Sequence, residues 1–480
     1  MSETLWTSHD LETVTGGAAS APFACSGLSI DTRSLKPGDL FVALQDQRDG
    51  HDFAPAAFEA GATGALVSRD VEARGPFLKV DDVIGALESL AVGARARSSA
   101  VRTAVTGSVG KTSVKEMVAR IFAAAGPAHW PEKSFNNHWG VPLTLARMPQ
   151  VTERAIFEIG MSTPGEIAPR SRLVRPHHAL ITKIAPAHLE GVGSIEGVAN
   201  EKSDIFAGLE ASGTIIVPED DAFRDVLADR GREMCPTATV ESFGTGEGAT
   251  ARVLEITSGG SFTRCLIDIA GQRADVRLEA VGDHWGLNAA AALLMATLTG
   301  ISVQDAAEAL SGFGPPPGRG TAETLYLPGG GTSLLIDDSY NANPESMRAA
   351  MAALAARPAG RRILALGEMM EIGEGSAAAH AQLVEPITDA CAEQIVLAGA
   401  GMAHLRDALP PHRIAGFADR AGELTETVKN LLMDGDILLI KGSNASGMGK
   451  LAEALREWSA VYSDQEQGGA ESTAGGNHAV

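Results

Sequence analysis

Short apolar runs closed by glycine or polar clusters alternate along this chain with longer stretches of helical period. That alternation predicts an α/β protein. Near the start, LFVAL (residues 40–44) predicts a short buried strand, and FAPAAFEAGATGALVS predicts a helix, a glycine turn and a second strand. From Val101, VRTAV predicts a strand that runs into TGSVGKTS and then into the helix VKEMVARIFAAAG. AIFEIGM and HALITKI are mainly apolar and bounded by polar or glycine residues, the pattern of parallel strands. Residues 195–209 predict a helix and GTIIVPED another strand. GDHWGLNAAAALLMATLTG predicts a helix that opens polar and becomes rich in Ala and Leu.

A break stands at GFGPPPGRGTA (Gly312–Ala322), where three prolines between glycines make a stiff connector. Beyond it, SLLIDDS, RRILALGEM, QIVLAG and DILLIKGS predict strands separated by helices, a second doubly wound sheet. The expected organisation is a small N-terminal α/β domain (1–100), a central P-loop ATPase-like domain with a parallel sheet (101–314) and a C-terminal Rossmann-like doubly wound domain (315–462). Residues 463–480 are polar and glycine-rich and read as a disordered tail.

Composition narrows the function. The 480 residues are too many for one core, and 44% hydrophobic with 21% charged residues is ordinary for a globular protein. A net charge of −21 argues against nucleic acid, whose phosphates need a basic surface, but not against a nucleotide cradled in one loop. Cys25, Cys235, Cys265 and Cys391 lie far apart with no CxxC, as expected of reduced thiols in the cytoplasm. The start of the chain lacks the basic and apolar regions of a signal peptide, and no apolar run has the length of a membrane span.

The strongest local signal is the loop Thr106, Gly107, Ser108, Val109, Gly110, Lys111, Thr112, Ser113. Successive backbone N–H groups in such a loop point at phosphate oxygens, and the following helix adds its positive end. Lys111 can reach the β- and γ-phosphates, and Thr112 can place its hydroxyl on Mg²⁺. Val105 stands where the longer phosphate-loop pattern has glycine, so the match is a shorter GxxGKT. The plain alternative is a tight strand-to-helix turn with an incidental lysine.

TGSVGKTS resembles the loop of the Mur ligases, and other segments resemble that family in the same order. They are SIDTRSLKPGDLFVAL, RDGHDF, KSFNNHWGVPLTL, FEIGM, APAHLEGVGSIEGVANEKSDIF, the PGRG turn, IDDSYNANPESM and LGEMMEIG. KSFNNHWGVPLTL and IDDSYNANPESM resemble most closely the branch that adds D-alanyl-D-alanine. The resemblance spans about Ser29 to Lys450 and implies ATP and two Mg²⁺ ions. It implies UDP-N-acetylmuramoyl-tripeptide and D-alanyl-D-alanine as substrates and a monomeric enzyme.

The family resemblance also implies roles for individual residues. Glu158 and His188 would serve magnesium, and Lys202 would carry a carbamate that adds oxygen ligands. Without the resemblance these are a solvated glutamate, a structural histidine and a surface lysine. Lys111, His188, Lys202 and Arg319 would be the catalytic set, Arg319 reaching the ATP phosphates. Asn288 would lie near the adenine, in a GDHWGLN segment where Trp285 follows His284 in place of the family's asparagine. Asp338, Tyr340 and Asn341 would bring the third domain to the nucleotide. Asp31, Thr32 and Arg33 would face the uridine nucleotide, and Asn136, Asn137 and His138 would receive the acceptor peptide, or simply shape a loop. The expected reaction activates a peptide carboxylate as an acyl phosphate, which an amine then attacks. Rival readings are a related ligase adding one amino acid or glutamate to folate, and a nucleotide-hydrolysing switch.

Overall fold

The computed structural model describes residues 4–472 except 73, 187, 188 and 359, with side chains described to residue 463. Three sheets follow one another along the chain. The first has five strands in the order Ala18–Ala19, Phe77–Lys79, Gly64–Val67, Asp39–Val42, Gly27–Ser29, parallel except at the Ala18–Ala19 edge. Leu40 and Val42 face one side and Phe41 and Ala43 the other, so both faces bury apolar side chains.

The central sheet has nine strands. Third from one edge is β1 (Val101–Thr106), from which the chain enters α1 (Lys111–Ala125). On either side lie β2 (Arg154–Glu158) and β3 (His178–Ile181), both parallel to β1. Val105, Ile156, Leu180 and Ile216 pack beneath α1, while Ala104, Phe157, Ile181 and Val217 pack on the opposite layer. Burial on both faces is why these strands read as mainly apolar rather than alternating. The second layer includes α2 (Ile195–Ser203), and the first includes α3 (His284–Leu298).

Three further strands, Ala251–Gly259, Phe262–Ile269 and Gln272–Leu278, extend this sheet as an antiparallel meander. They were absent from the expected strands, and so was Thr239–Gly244 beside them. The parallel sheet of the expectation is thus mixed at this edge.

The third sheet begins with Thr321–Tyr326, antiparallel to β4 (Thr332–Asp338). Its order continues through Ile437–Lys441, Arg362–Gly367, Gln394–Ala398 and Ile414–Ala418, all parallel. After β4 comes α4 (Pro344–Ala355), and the Ile437–Lys441 strand is β5. The start of α4 is written locally in the sequence: Asn343 accepts from Ser346 N, Ser346 Oγ accepts from Asn343 N, and Pro344 opens the first turn. The final helix, Met448–Ser472, carries on past Ser463.

The first two units are joined tightly. Trp6 Nε1 donates to Ala146 O at 3.0 Å, the Arg97 guanidinium lies 3.6 Å from the Trp6 ring centre, and Arg147 Nε donates to Leu28 O at 2.7 Å. Leu143 and Ala146 share one core with Leu28 and Leu40. The third unit meets the second across a cleft.

Candidate active site

The C-terminal ends of β1, β2 and β3 face those of β4 and β5 across a cavity of about 830 Å³. In open α/β sheets this is the end where ligands bind. Residues 108–113 line it, and Thr106 and Gly107 lie just behind. Gly107 has φ 146°, and a Cβ there would lie 1.9 Å from Thr182 Oγ1, so no side chain fits. Gly110, at φ 85°, turns the chain into α1, and no side chain caps that helix. Its first amides are thus left for an anion.

Lys111 Nζ bends back onto Gly107 O at 2.5 Å. Burial pushes its pKa from 10.5 to about 8; the Glu158 charge opposes the fall and Arg319 adds to it. Next to it, Thr112 Oγ1 donates to Glu158 Oε2 at 2.8 Å. Asn136 Nδ2 donates to the other carboxylate oxygen, also at 2.8 Å. Glu158 is 1% exposed, so these two donors offset the cost of burying its charge. The phosphate loop and the NNHW loop thus meet on one carboxylate at the end of β2. Hydroxyl and carboxylate oxygens side by side suit a hard cation such as Mg²⁺, which takes oxygen ligands and keeps several waters. Asn137 also has a local task, since its Oδ1 accepts from Gly140 N at 2.8 Å; His138 is exposed and lines the cavity.

Lys202 sits on α2 behind the lining, 1% exposed. Among the described residues its ammonium has no hydrogen-bond partner. Burial first, and then the charge of Lys111, hold its pKa well below the ordinary lysine range. The neighbouring Glu201 instead accepts from Gly165 N, Glu166 N and Ile167 N. The expected magnesium histidine, His188, lies outside the described residues.

The connector brings Arg319 to the cavity, with its guanidinium 4.2 Å from the Tyr340 ring centre. The turn is held by Tyr340 N donating to Gly318 O at 3.0 Å and Gly320 N to Asp337 O at 2.8 Å. Asp338 and Asn341 line the same wall. Asn288 reaches in from α3, its Oδ1 only 2.9 Å from where a Cβ on Gly110 would stand. Trp285 is 3% exposed and packs against Phe313 and His284 at the cavity's edge. Burial lowers the pKa of His284 to about 4, with Lys441 and Lys183 adding to the fall.

Asp31, Thr32 and Arg33 are not brought into this cavity. They form an exposed turn after Gly27–Ser29, where Arg33 grips Asp31 through Nε at 2.9 Å and Nη2 at 2.7 Å. That contact holds the Asp31 carboxyl below its usual range.

Two lysines in the cavity were not singled out from the sequence. Lys441 ends β5 and donates to Asp338 Oδ2 at 2.7 Å and to Asn341 O at 3.0 Å. Lys183 follows β3 and pairs across the cleft with Glu345 in the first turn of α4. Each is the first charge after an apolar strand run, which is the signal that could have marked it.

The family description "Mur ligase middle domain" matches residues 105–296, and "Mur ligase, glutamate ligase domain" matches 327–444. The chain is 36% identical over 452 residues to the UDP-N-acetylmuramoyl-tripeptide--D-alanyl-D-alanine ligase of Escherichia coli (strain K12), covering 92% of this chain and 96% of that one. It is 31% identical over 451 residues to the enzyme of the same description from Rickettsia prowazekii (strain Madrid E), covering 94% and 99%. Among solved structures, MurF from Acinetobacter baumannii superposes with TM-score 0.81 at 29% identity, covering 94% and 99%. MurF ligase from Thermotoga maritima in complex with ADP has the same fold, with TM-score 0.74 at 24% identity, covering 90% and 97%.

Proposed function

The chain belongs to the Mur ligase family, and on that premise we propose that it is an ATP-dependent ligase joining D-alanyl-D-alanine to the peptide carboxylate of UDP-N-acetylmuramoyl-tripeptide, in peptidoglycan synthesis. One observation carries the reading furthest: Thr112 of the phosphate loop and Asn136 of the NNHW loop hold the same buried carboxylate, Glu158. Phosphate chemistry and acceptor binding are thereby fixed to one point.

A carboxylate is a poor electrophile. Its oxygen attacks the γ-phosphorus of ATP, the bond to ADP breaks, and an acyl phosphate forms. The amine of D-alanyl-D-alanine then attacks the carbonyl carbon, the C–O bond to phosphate breaks, and the nitrogen loses a proton. Residues 106–113 cradle the phosphates. Lys111 leaves Gly107 O for the β- and γ-oxygens, whose negative charge offsets the cost of burying its proton. Arg319 adds a second cation from the connector. Asn288, Asp338 and Asn341 complete the nucleotide wall, and Asn136, Asn137 and His138 border the acceptor peptide. Asp31, Thr32 and Arg33 serve the uridine nucleotide from the first domain.

Thr112 and Glu158 are the residues that would hold Mg²⁺, with Lys202 and His188 at a second ion; the metal supplies charge stabilisation at the transferring phosphoryl group. Lys202 suits a carbamate on physical grounds. A buried lysine whose pKa is depressed gives up its proton more readily than an exposed one. Its nitrogen can bond to the carbon of CO₂ with loss of a proton. The resulting anion replaces repulsion of Lys111 by attraction. His188 takes its role from its place in PAHLEGVG.

The three domains then divide the work: residues 1–100 for the uridine nucleotide, 101–314 for ATP chemistry, and 315–462 to close over both and exclude water. The family resemblance implies a monomer. We assign the reaction to the cytoplasm; among the described residues no helix is long and apolar enough to cross a membrane. The test is phosphate release from ATP with the tripeptide precursor and a panel of amino acids and dipeptides. Release that depends on D-alanyl-D-alanine is expected; release with glutamate, or with no amine at all, would favour a rival.

A further inference from the structure

We propose that Lys441 is a positioning residue that bridges Asp338 and the Asn341 carbonyl, and so sets the third domain's nucleotide wall before the domains engage ATP. The inference rests on reading that wall as nucleotide-facing. Its basis is the sheet itself. β4 and β5 are parallel neighbours, and their register pairs Asp338 with Lys441 as the last residues of both strands. From there Nζ donates to Asp338 Oδ2 at 2.7 Å and, around the turn, to Asn341 O at 3.0 Å. One side chain thus fixes a carboxylate and the turn that follows it.

Lys441 is 2% exposed, and burying an ammonium is costly even when it is paired. An apolar side chain of similar volume would often serve stability as well or better. The retained charge therefore points to orientation. The surroundings say which group is oriented. Arg319 of the connector and His284 of α3 line the same cavity as Asp338 and Lys441, and Asp337 lies beside Asp338 with Arg456 of the final helix on its far oxygen. Burial raises the pKa of Asp338, and Lys441 is the largest influence lowering it. Without the lysine, the carboxylate would protonate at a higher pH and turn away from its present position.

The test uses the full chain with two readouts: ATP affinity by titration calorimetry without acceptor, and the pH–rate profile of phosphate release with all substrates. Lys441→Met removes two charge-assisted hydrogen bonds and should weaken ATP binding by about tenfold or more. It should also move the acid limb of the profile to higher pH while leaving the KM for D-alanyl-D-alanine unchanged. Lys441→Arg, which keeps the charge, should recover part of the affinity. Asp338→Asn should weaken ATP binding to a similar extent, and the double variant Lys441→Met/Asp338→Asn should lose less than the sum of the two single losses. Unchanged ATP affinity and an unmoved acid limb in Lys441→Met would overturn the proposal, as would additive losses in the double variant. Should Lys441→Met fail to fold, ATP affinity of Asp338→Asn and Lys441→Arg both equal to wild type would overturn it in the same way. A wild-type chain that binds ATP but releases no phosphate with D-alanyl-D-alanine would refute the ligase reading, while the titrations would still judge Lys441.

Discussion

Lys111 is held in its loop at a cost to the fold, and Lys111→Met should expose that cost. Burial lowers its pKa from 10.5 to about 8. At about 1.4 kcal/mol for each pH unit, the folded state carries a penalty of roughly 3 kcal/mol for keeping the proton at neutral pH. The bond to Gly107 O returns about 1 kcal/mol. The net gain on replacing the lysine with a methionine is therefore about 1–2 kcal/mol, with the lysine's partial exposure favouring the lower figure. The sign follows from proton counting. Between pH 8 and 10.5 the unfolded chain binds a proton that the folded chain lacks, so wild-type stability rises with pH through that window. The variant's advantage should be full below about pH 8 and gone above about pH 10.5. Urea melts at pH 7 and pH 10, followed by circular dichroism, measure it. Phosphate release on the same samples should fall by at least about a hundredfold, the scale on which a lost transition-state charge acts. A variant less stable than wild type at pH 7, or one that turns over near normally, would refute the reasoning.

Other residues make separate predictions. Asn136→Ala leaves one oxygen of the buried Glu158 without its donor; a loss of about 1–3 kcal/mol in stability is expected, with a raised Mg²⁺ requirement, and an unchanged metal titration would contradict it. Glu345→Gln breaks the cross-cleft pair with Lys183, which is partly exposed and worth at most about 1 kcal/mol, so the rate should change no more than about fivefold and lose its dependence on salt. A salt dependence equal to wild type would count against that pair as a domain contact. Lys202→Met should remove nearly all activity but raise stability at neutral pH, because a buried lysine of depressed pKa destabilises the fold below its unfolded pKa. Full activity in Lys202→Met, or a wild-type rate indifferent to prolonged CO₂ depletion, would argue against the carbamate.

The strands around the cleft were readable because both their faces are buried. AIFEI, HALI and ILLIK stand out as mainly apolar runs between polar ends, and VRTAV is marked by the glycine loop that follows it. The meander was not, because a sheet buried on one face alternates and offers weaker signals. In Gln272–Leu278, buried and exposed residues alternate through Ala274, Val276 and Leu278, and the turn at Ala270 and Gly271 is the other mark it left. The site divides the same way. GKT carries its chemistry in consecutive residues, so Lys111 and Thr112 are legible. Glu158 meets Thr112 because β1 and β2 are neighbours, and Asn136 follows the strand Ala128–His129 on the other side of β2; no spacing along the chain encodes either contact. Lys441 and Asp338 are 103 positions apart and paired by strand register alone.

The central claim is that a carboxylate oxygen of the tripeptide passes to phosphate while the dipeptide amine takes its place on carbon. The most direct measurement supplies precursor labelled with ¹⁸O in its terminal carboxylate, together with ATP, Mg²⁺ and D-alanyl-D-alanine, and reads the inorganic phosphate by mass spectrometry. The account predicts phosphate carrying a single ¹⁸O, formed in step with an amide product heavier than the precursor by the dipeptide less water. Unlabelled phosphate, released whether or not D-alanyl-D-alanine is present, would contradict it.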